Sequence, residues 1–137
     1  MKFWDTSALL PLFIDEAMTE TLRQALSDDP DVLIWALTQV ELVSAIWRRK
    51  LEPGANRLEL AARAVATATI YMKVVFLRPV TQKALSACER HRLRSADALQ
   101  LAAALVACNG EPSTLPFVTL DRDLASAAHA EGFPILP

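Results

Sequence analysis

Short apolar runs alternate along this chain with longer stretches of helical periodicity, and this alternation restricts the fold more than any other feature. Strands are predicted at Lys2–Trp4, Val32–Ala36, Val74–Leu77, Pro116–Thr119 and Pro134–Leu136. Because a helix between two successive strands lets them lie parallel, the order predicts βαβ units. We therefore expect an α/β fold with a central, mostly parallel sheet and helices on both of its faces.

The helical segments and the absence of any linker indicate one domain that spans residues 1–137. Helices are predicted from about Ala8 and at about Met18–Ser27, Thr38–Lys50, Arg57–Met72, Thr81–Arg92, Ala96–Cys108 and Leu124–Glu131. A Thr6-Ser7 cap is expected before the first helix. The longest helix has one shared face, made of Leu58, Ala62, Val65, Thr69 and Met72.

Composition favours a cytoplasmic protein without a membrane span. Hydrophobic residues make up 53% of the chain, but the longest stretch without a charged side chain runs only from Ala98 to Gly110. A transmembrane helix needs roughly 18 apolar residues. The segment Met1–Asp5 has no apolar signal region, and Cys88 and Cys108 match no metal spacing, so both cysteines are predicted to be small core residues.

The formal net charge of −2 argues against a protein that coats nucleic acid, although an enzyme can still hold nucleic acid locally. Basic residues cluster at Arg48–Lys50 and at Arg90–Arg92 with Arg94. These clusters either contact a phosphate backbone or are solvated helix ends. His91 is predicted to be a surface residue rather than a general base.

Four carboxylates occupy related positions. Asp5 and Asp121 follow predicted strands, whereas Glu41 and Asp97 lie in the first turns of predicted helices. In a parallel α/β sheet these positions meet at the carboxyl edge, where ligands bind. Converging carboxylates repel one another unless a cation neutralises them, and their oxygens suit Mg²⁺ or Mn²⁺. This arrangement favours metal-assisted hydrolysis of a phosphodiester.

Each acid also has a simpler explanation. Thr38 and Glu41 match the spacing of a capping box, and Asp97 near a helix start is favoured by the helix dipole. Asp5 and Asp121 fit turn or cap positions. The residues alone leave these alternatives open.

Four segments in series carry a family resemblance: Phe3–Leu10, Thr38–Ala45, Leu93–Ala102 and Phe117–Leu124. The first is an apolar strand that leads into Asp-Thr-Ser-Ala, and the second has Glu three residues after Thr. In the third, Asp heads an alanine-rich helix, and the fourth is a strand followed by Thr-x-Asp-x-x-Leu. Together they resemble the motifs of PIN-domain proteins, in family order. The length resembles that of the VapC-type toxins of this family.

The resemblance implies a three-layer α/β/α sandwich and an endoribonuclease that uses Mg²⁺ or Mn²⁺. It assigns Asp5, Glu41 and Asp97 as catalytic, metal-binding acids and Asp121 as the fourth, with Asp123 more typical of a helix start. Water would attack the RNA in line and leave a 5′-phosphate and a 3′-hydroxyl. The family also implies a homodimer and a cognate antitoxin that crosses the site.

Supporting roles and rival classes complete the predictions. Thr6, Ser7 and Thr119 are expected to assist the acids through hydrogen bonds, with helix capping as the main role of Ser7. A phosphorelay receiver domain needs a late lysine, and none follows Lys83. A haloacid-dehalogenase-type phosphatase needs Asp-x-Asp after its first strand; Asp121-x-Asp123 has this spacing but lies too near the end of the chain to leave room for the rest of that fold. The remaining alternative is a catalytically silent PIN fold that binds RNA or protein.

Overall fold

The computed structural model describes all 137 residues and contains one five-stranded sheet with the order β3-β2-β1-β4-β5. Every neighbouring pair of strands is parallel, which confirms the predicted parallel α/β architecture. The strands are β1 (Lys2–Trp4), β2 (Val32–Trp35), β3 (Met72–Val74), β4 (Phe117–Val118) and β5 (Ile135–Leu136).

Seven helices connect or follow the strands. They are α1 (Thr6–Leu9), α2 (Thr19–Asp28), α3 (Thr38–Arg48), α4 (Arg57–Ile70), α5 (Leu77–His91), α6 (Ser95–Ala107) and α7 (Arg122–Ala130). Short 3₁₀ turns occupy Leu10–Leu12 and Pro112–Thr114. None of the helices combines the length and the apolar character that crossing a membrane requires.

Two apolar cores lie on opposite faces of the sheet, because successive residues of a strand point to opposite sides. Phe3 and Phe117 pack with α5, α6 and α7, whereas Trp4 and Val118 pack with α1 to α4. The chain is therefore a three-layer α/β/α sandwich. Cys108 is buried in the first of these cores, and both cysteines are free thiols.

The predicted position of the third strand was wrong. The β-branched run suggested Val74–Leu77, but β3 ends where Val74 lies opposite Trp35 of β2. The next two residues leave the sheet exposed to solvent, and α5 begins at Leu77. Pro79 in the first turn of α5 is compatible with this early start, since the first N–H groups of a helix have no partner within the helix.

The shared face predicted for the long helix is not its buried face. Leu58 is 71% exposed and Met72, which lies beyond α4, is 50% exposed. The side chains of α4 that are buried are Ala61, Ala64 and Ala68. Small alanine side chains allow α4 to pack closely, so the larger apolar residues on the other side remain at the surface.

Candidate acidic active site

A cavity of about 730 Å³ lies at the carboxyl edge of the sheet. All four acids singled out from the sequence line it: Asp5, Glu41, Asp97 and Asp121. Three arginines line the same cavity: Arg48, Arg49 and Arg94. The fold thus brings together carboxylates that are far apart in the sequence and borders them with positive charge.

Asp5 directly follows β1 and caps α1. Its Oδ1 accepts hydrogen bonds from Ser7 Oγ at 2.8 Å and from the Ala8 amide at 3.3 Å. The Ser7 amide donates to Oδ2 at 3.2 Å. The residue is only 4% exposed, and this burial raises the pKa of Asp5 to about 6, although the hydrogen bonds from Ser7 partly oppose the shift.

Ser7 joins two strand ends, whereas the sequence predicted mainly a capping role for it. The cap is Asp5, and the helix begins at Thr6 rather than near Ala8. Besides donating to Asp5, Ser7 Oγ accepts from the Leu120 amide at 2.8 Å and lies 3.3 Å from Thr119 Oγ1. Through these hydrogen bonds the Ser7 hydroxyl links Leu120, which follows β4, to Asp5, which follows β1.

Glu41 is held through one of its two carboxylate oxygens. Thr6 Oγ1 donates to Oε2 at 2.5 Å, and Gln100 Nε2 donates to the same oxygen at 2.7 Å. The pKa of Glu41 is raised, mainly by burial and further by the charge of Asp97. The capping-box alternative is wrong, because the cap of α3 is Leu37 and no side chain caps this helix.

Gln100 belongs to the site although the sequence analysis did not single it out. It lies one turn after Asp97 on α6 and is 1% exposed. It is the only polar side chain between Ala98 and Cys108. Burying a polar side chain without hydrogen-bond partners is costly. A single glutamine in so apolar a helix was therefore the feature of the sequence that could have indicated a functional role for Gln100.

Asp97 and Asp121 share an arginine. Arg94 Nε donates to Asp97 Oδ2 at 3.3 Å, and Arg94 Nη2 lies 3.8 Å from Asp121 Oδ2. Burial and the charge of Asp121 raise the pKa of Asp97, whereas Arg94 opposes that rise. Asp121 also caps α7 by accepting from the Leu124 amide at 2.9 Å. Asp123 lines a neighbouring cavity of about 360 Å³ instead.

The donor set suits a hard divalent cation, although no three acidic, histidine or cysteine side chains are close enough to ligate one ion together. Mg²⁺ is usually bound by one or two carboxylates, with water and phosphate oxygens completing its shell. The hydrogen bonds to Glu41 reach Oε2 and leave Oε1 available. Since the charge of Asp97 raises the pKa of Glu41 and the charge of Asp121 raises the pKa of Asp97, an added cation would relieve this repulsion.

Neither histidine lines the acidic cavity. His91 Nε2 lies 2.7 Å from Glu131 Oε1, and Arg90 pairs with the same oxygen at 2.9 Å. With 17% of its side chain exposed, His91 is a partly buried, paired residue rather than the predicted surface residue. The chemistry of the cavity therefore depends on carboxylates and arginines.

Comparison with known proteins gives one family and a set of similar folds. The PIN domain family model matches residues 2–130. A toxin-antitoxin complex from Klebsiella pneumoniae has a TM-score of 0.71 at 18% identity, covering 100% of this chain and 97% of that chain. FitAcB from Neisseria gonorrhoeae has a TM-score of 0.68 at 19% identity, with the same coverage. Among curated proteins, none matches this sequence. The TM-scores show that both structures share the fold of this chain, and at such low identities the likeness shows the fold alone.

Proposed function

The chain belongs to the PIN domain family, whose members are generally nucleases, and on this basis we propose that it is a metal-dependent endoribonuclease. The observation that carries the proposal is the single cavity lined by four carboxylates and bordered by arginines. Such a cavity combines ligands for a hard cation with groups that attract a phosphate backbone.

In this proposal Asp5, Glu41, Asp97 and Asp121 hold Mg²⁺ or Mn²⁺, with bound water between the ion and those acids that do not reach it directly. The ion would supply charge neutralisation and an activated water at neutral pH. The chain's own hydrogen bonds fix the acids before substrate arrives: Ser7 orients Asp5, and Thr6 orients Glu41. The oxygen of water attacks phosphorus as the bond from phosphorus to the 3′ oxygen breaks, which leaves a 5′-phosphate and a 3′-hydroxyl.

RNA contact in the proposal depends on local positive charge, because the formal net charge of the chain is −2. Arg48 and Arg49 lie at the carboxyl end of α3 and line the cavity together with Arg94. Arg92 lines the adjoining cavity. Phosphates on either side of the cleaved bond would therefore meet arginine on two sides of the acids.

We also propose two protein partners. The similar structure described as a toxin-antitoxin complex supports an antitoxin. On α3, the exposed Val40 and Trp47 adjoin Glu41 and Arg48 of the cavity, so a segment bound there could cover the acids.

A homodimer is supported by the exposed apolar segment at the β3 edge of the sheet, which includes Met72, Val75, Phe76 and Leu77. A cytoplasmic location remains part of this proposal.

The chemistry of the fragment ends tests the proposed reaction. With Mg²⁺ or Mn²⁺, the protein is expected to cut RNA into pieces with 5′-phosphates, which are detected by direct ligation without prior phosphorylation. A matched RNA with a 2′-deoxy nucleotide at the cleavage site should still be cut, because water rather than the 2′-hydroxyl is the nucleophile. Fragments with 5′-hydroxyl ends, or a requirement for the 2′-hydroxyl, would contradict the proposed hydrolysis.

A further inference from the structure

The amide of Gln100 joins α6 to α1 and α3 beneath the acidic cavity. Its Nε2 lies 2.7 Å from Glu41 Oε2, 3.2 Å from Thr6 Oγ1 and 3.2 Å from Thr38 Oγ1. Thr38 is fully buried, as Gln100 nearly is. Three oxygens from two other helices therefore converge on one buried nitrogen.

This arrangement has a cost that packing does not explain. Gln100 Oε1 is buried and has no hydrogen-bond partner, and a buried acceptor without a partner lowers the stability of a protein. The surrounding residues of α6 are alanine, leucine and valine, so an apolar side chain would suit the helix. The role of the amide is therefore to be found in the hydrogen bonds that its Nε2 donates.

The nitrogen side controls how Glu41 presents its carboxylate. Gln100 Nε2 and Thr6 Oγ1 both donate to Oε2, so two bonds from different helices fix the plane and rotation of the group. With Oε2 occupied, Oε1 is the oxygen left for a ligand in the cavity. Hydrogen bonds of this kind orient metal-binding carboxylates in many metalloproteins.

We infer that Gln100 is a positioning residue that, with Thr6, holds Glu41 so that Oε1 faces the divalent cation. The inference rests on the proposed metal-dependent function and adds a role for a residue outside the four acids. Gln100 itself touches neither the cation nor the RNA in this account.

A double-mutant cycle tests the inference through Mn²⁺ affinity, measured by calorimetry or by electron paramagnetic resonance. Gln100→Met keeps the size of the side chain and removes the donor, so it is expected to weaken Mn²⁺ binding about 10-fold. In a Glu41→Gln background, titrated to higher Mn²⁺ concentrations, the same change should add no further loss. The matched control is Gln24→Met on the exposed surface of α2, which should leave the affinity unchanged.

Catalysis gives a second readout that a purely structural role would not reproduce. Gln100→Met should lower kcat and leave KM for RNA unchanged, since the arginines that border the cavity are intact. If Gln100→Met does not fold, Thr6→Val removes the other donor to Oε2 and should give the same pattern in the same cycle.

Several outcomes would overturn the inference. Equal losses of Mn²⁺ affinity in both backgrounds, or none in either, would show that Gln100 does not act through Glu41. An unsubstituted protein that binds no Mn²⁺ would also overturn it. A protein that binds Mn²⁺ with the expected cycle yet cleaves no RNA would support the positioning role and remove the proposed ribonuclease function.

Discussion

Asp5→Asn is expected to lose RNA cleavage and, without divalent ions, to be more stable than the unsubstituted protein at pH 7.5. The substitution keeps the shape of the side chain and one oxygen, which can still accept from the Ser7 hydroxyl and the Ala8 amide, whereas the Ser7 amide loses its acceptor. It removes a negative charge that is almost completely buried. The same charge is therefore expected to be needed for activity and to destabilise the fold when no cation is bound.

The direction of the pH effect follows from the pKa of Asp5, which burial raises from 3.8 to about 6 in the folded protein. The folded state holds the proton more tightly than the unfolded state does. The contribution of Asp5 to stability is therefore fully present below about pH 4 and is lost as the pH rises through 6. By pH 7.5 the loss is on the order of 3 kcal/mol. An asparagine avoids this loss, and the hydrogen bond that the Ser7 amide gives up offsets only part of the gain.

Urea unfolding in EDTA at pH 5 and pH 7.5 measures the stability effect, and kcat/KM for RNA measures the catalytic one. We expect a fall of at least about 100-fold in kcat/KM, as for the loss of other groups that stabilise transition-state charge. Asp15→Asn is a suitable control, because that side chain is 86% exposed. A folded Asp5→Asn protein that cleaves RNA as fast as the unsubstituted one would exclude Asp5 from the site.

Leu101→Ala is expected to lower the free energy of unfolding by about 2–5 kcal/mol, whereas Leu58→Ala should change it by less than about 0.5 kcal/mol. Leu101 is fully buried on α6, and Leu58 is 71% exposed on α4. The same atoms are removed in both variants, so the difference reports burial alone. Urea unfolding measures both. Similar losses would mean that α4 packs through the face predicted from its periodicity.

The main features of the fold could be predicted because they depend on local patterns. Alternation of apolar runs and helices predicted the parallel sheet, and β1 was predicted with the bounds that the structure has. The buried face of α4 could not be predicted in this way. Periodicity favours the larger apolar residues, but the close packing of this helix requires alanines such as Ala64. That requirement is set by neighbouring elements rather than by α4 itself.

The acids of the site could be located because each lies at a strand end or a helix start. Their hydrogen-bond partners were harder to identify, since they come from distant parts of the chain. Gln100 meets Thr6 across 94 residues and Glu41 across 59. Its sequence neighbourhood is typical of a core helix. That residue meets the acids only because the fold brings the first turns of α6 to the same edge of the sheet as the starts of α1 and α3.

Cleavage of total RNA, compared between Mg²⁺, Mn²⁺ and EDTA, tests the central claim most directly. Asp97→Asn and Asp123→Asn should be assayed alongside, because Asp97 lines the acidic cavity and Asp123 lines the adjoining one instead. The account predicts discrete fragments that require the metal, disappear with Asp97→Asn and persist with Asp123→Asn. Intact RNA in every lane from folded protein free of any partner, or cleavage that survives both EDTA and Asp97→Asn, would contradict it.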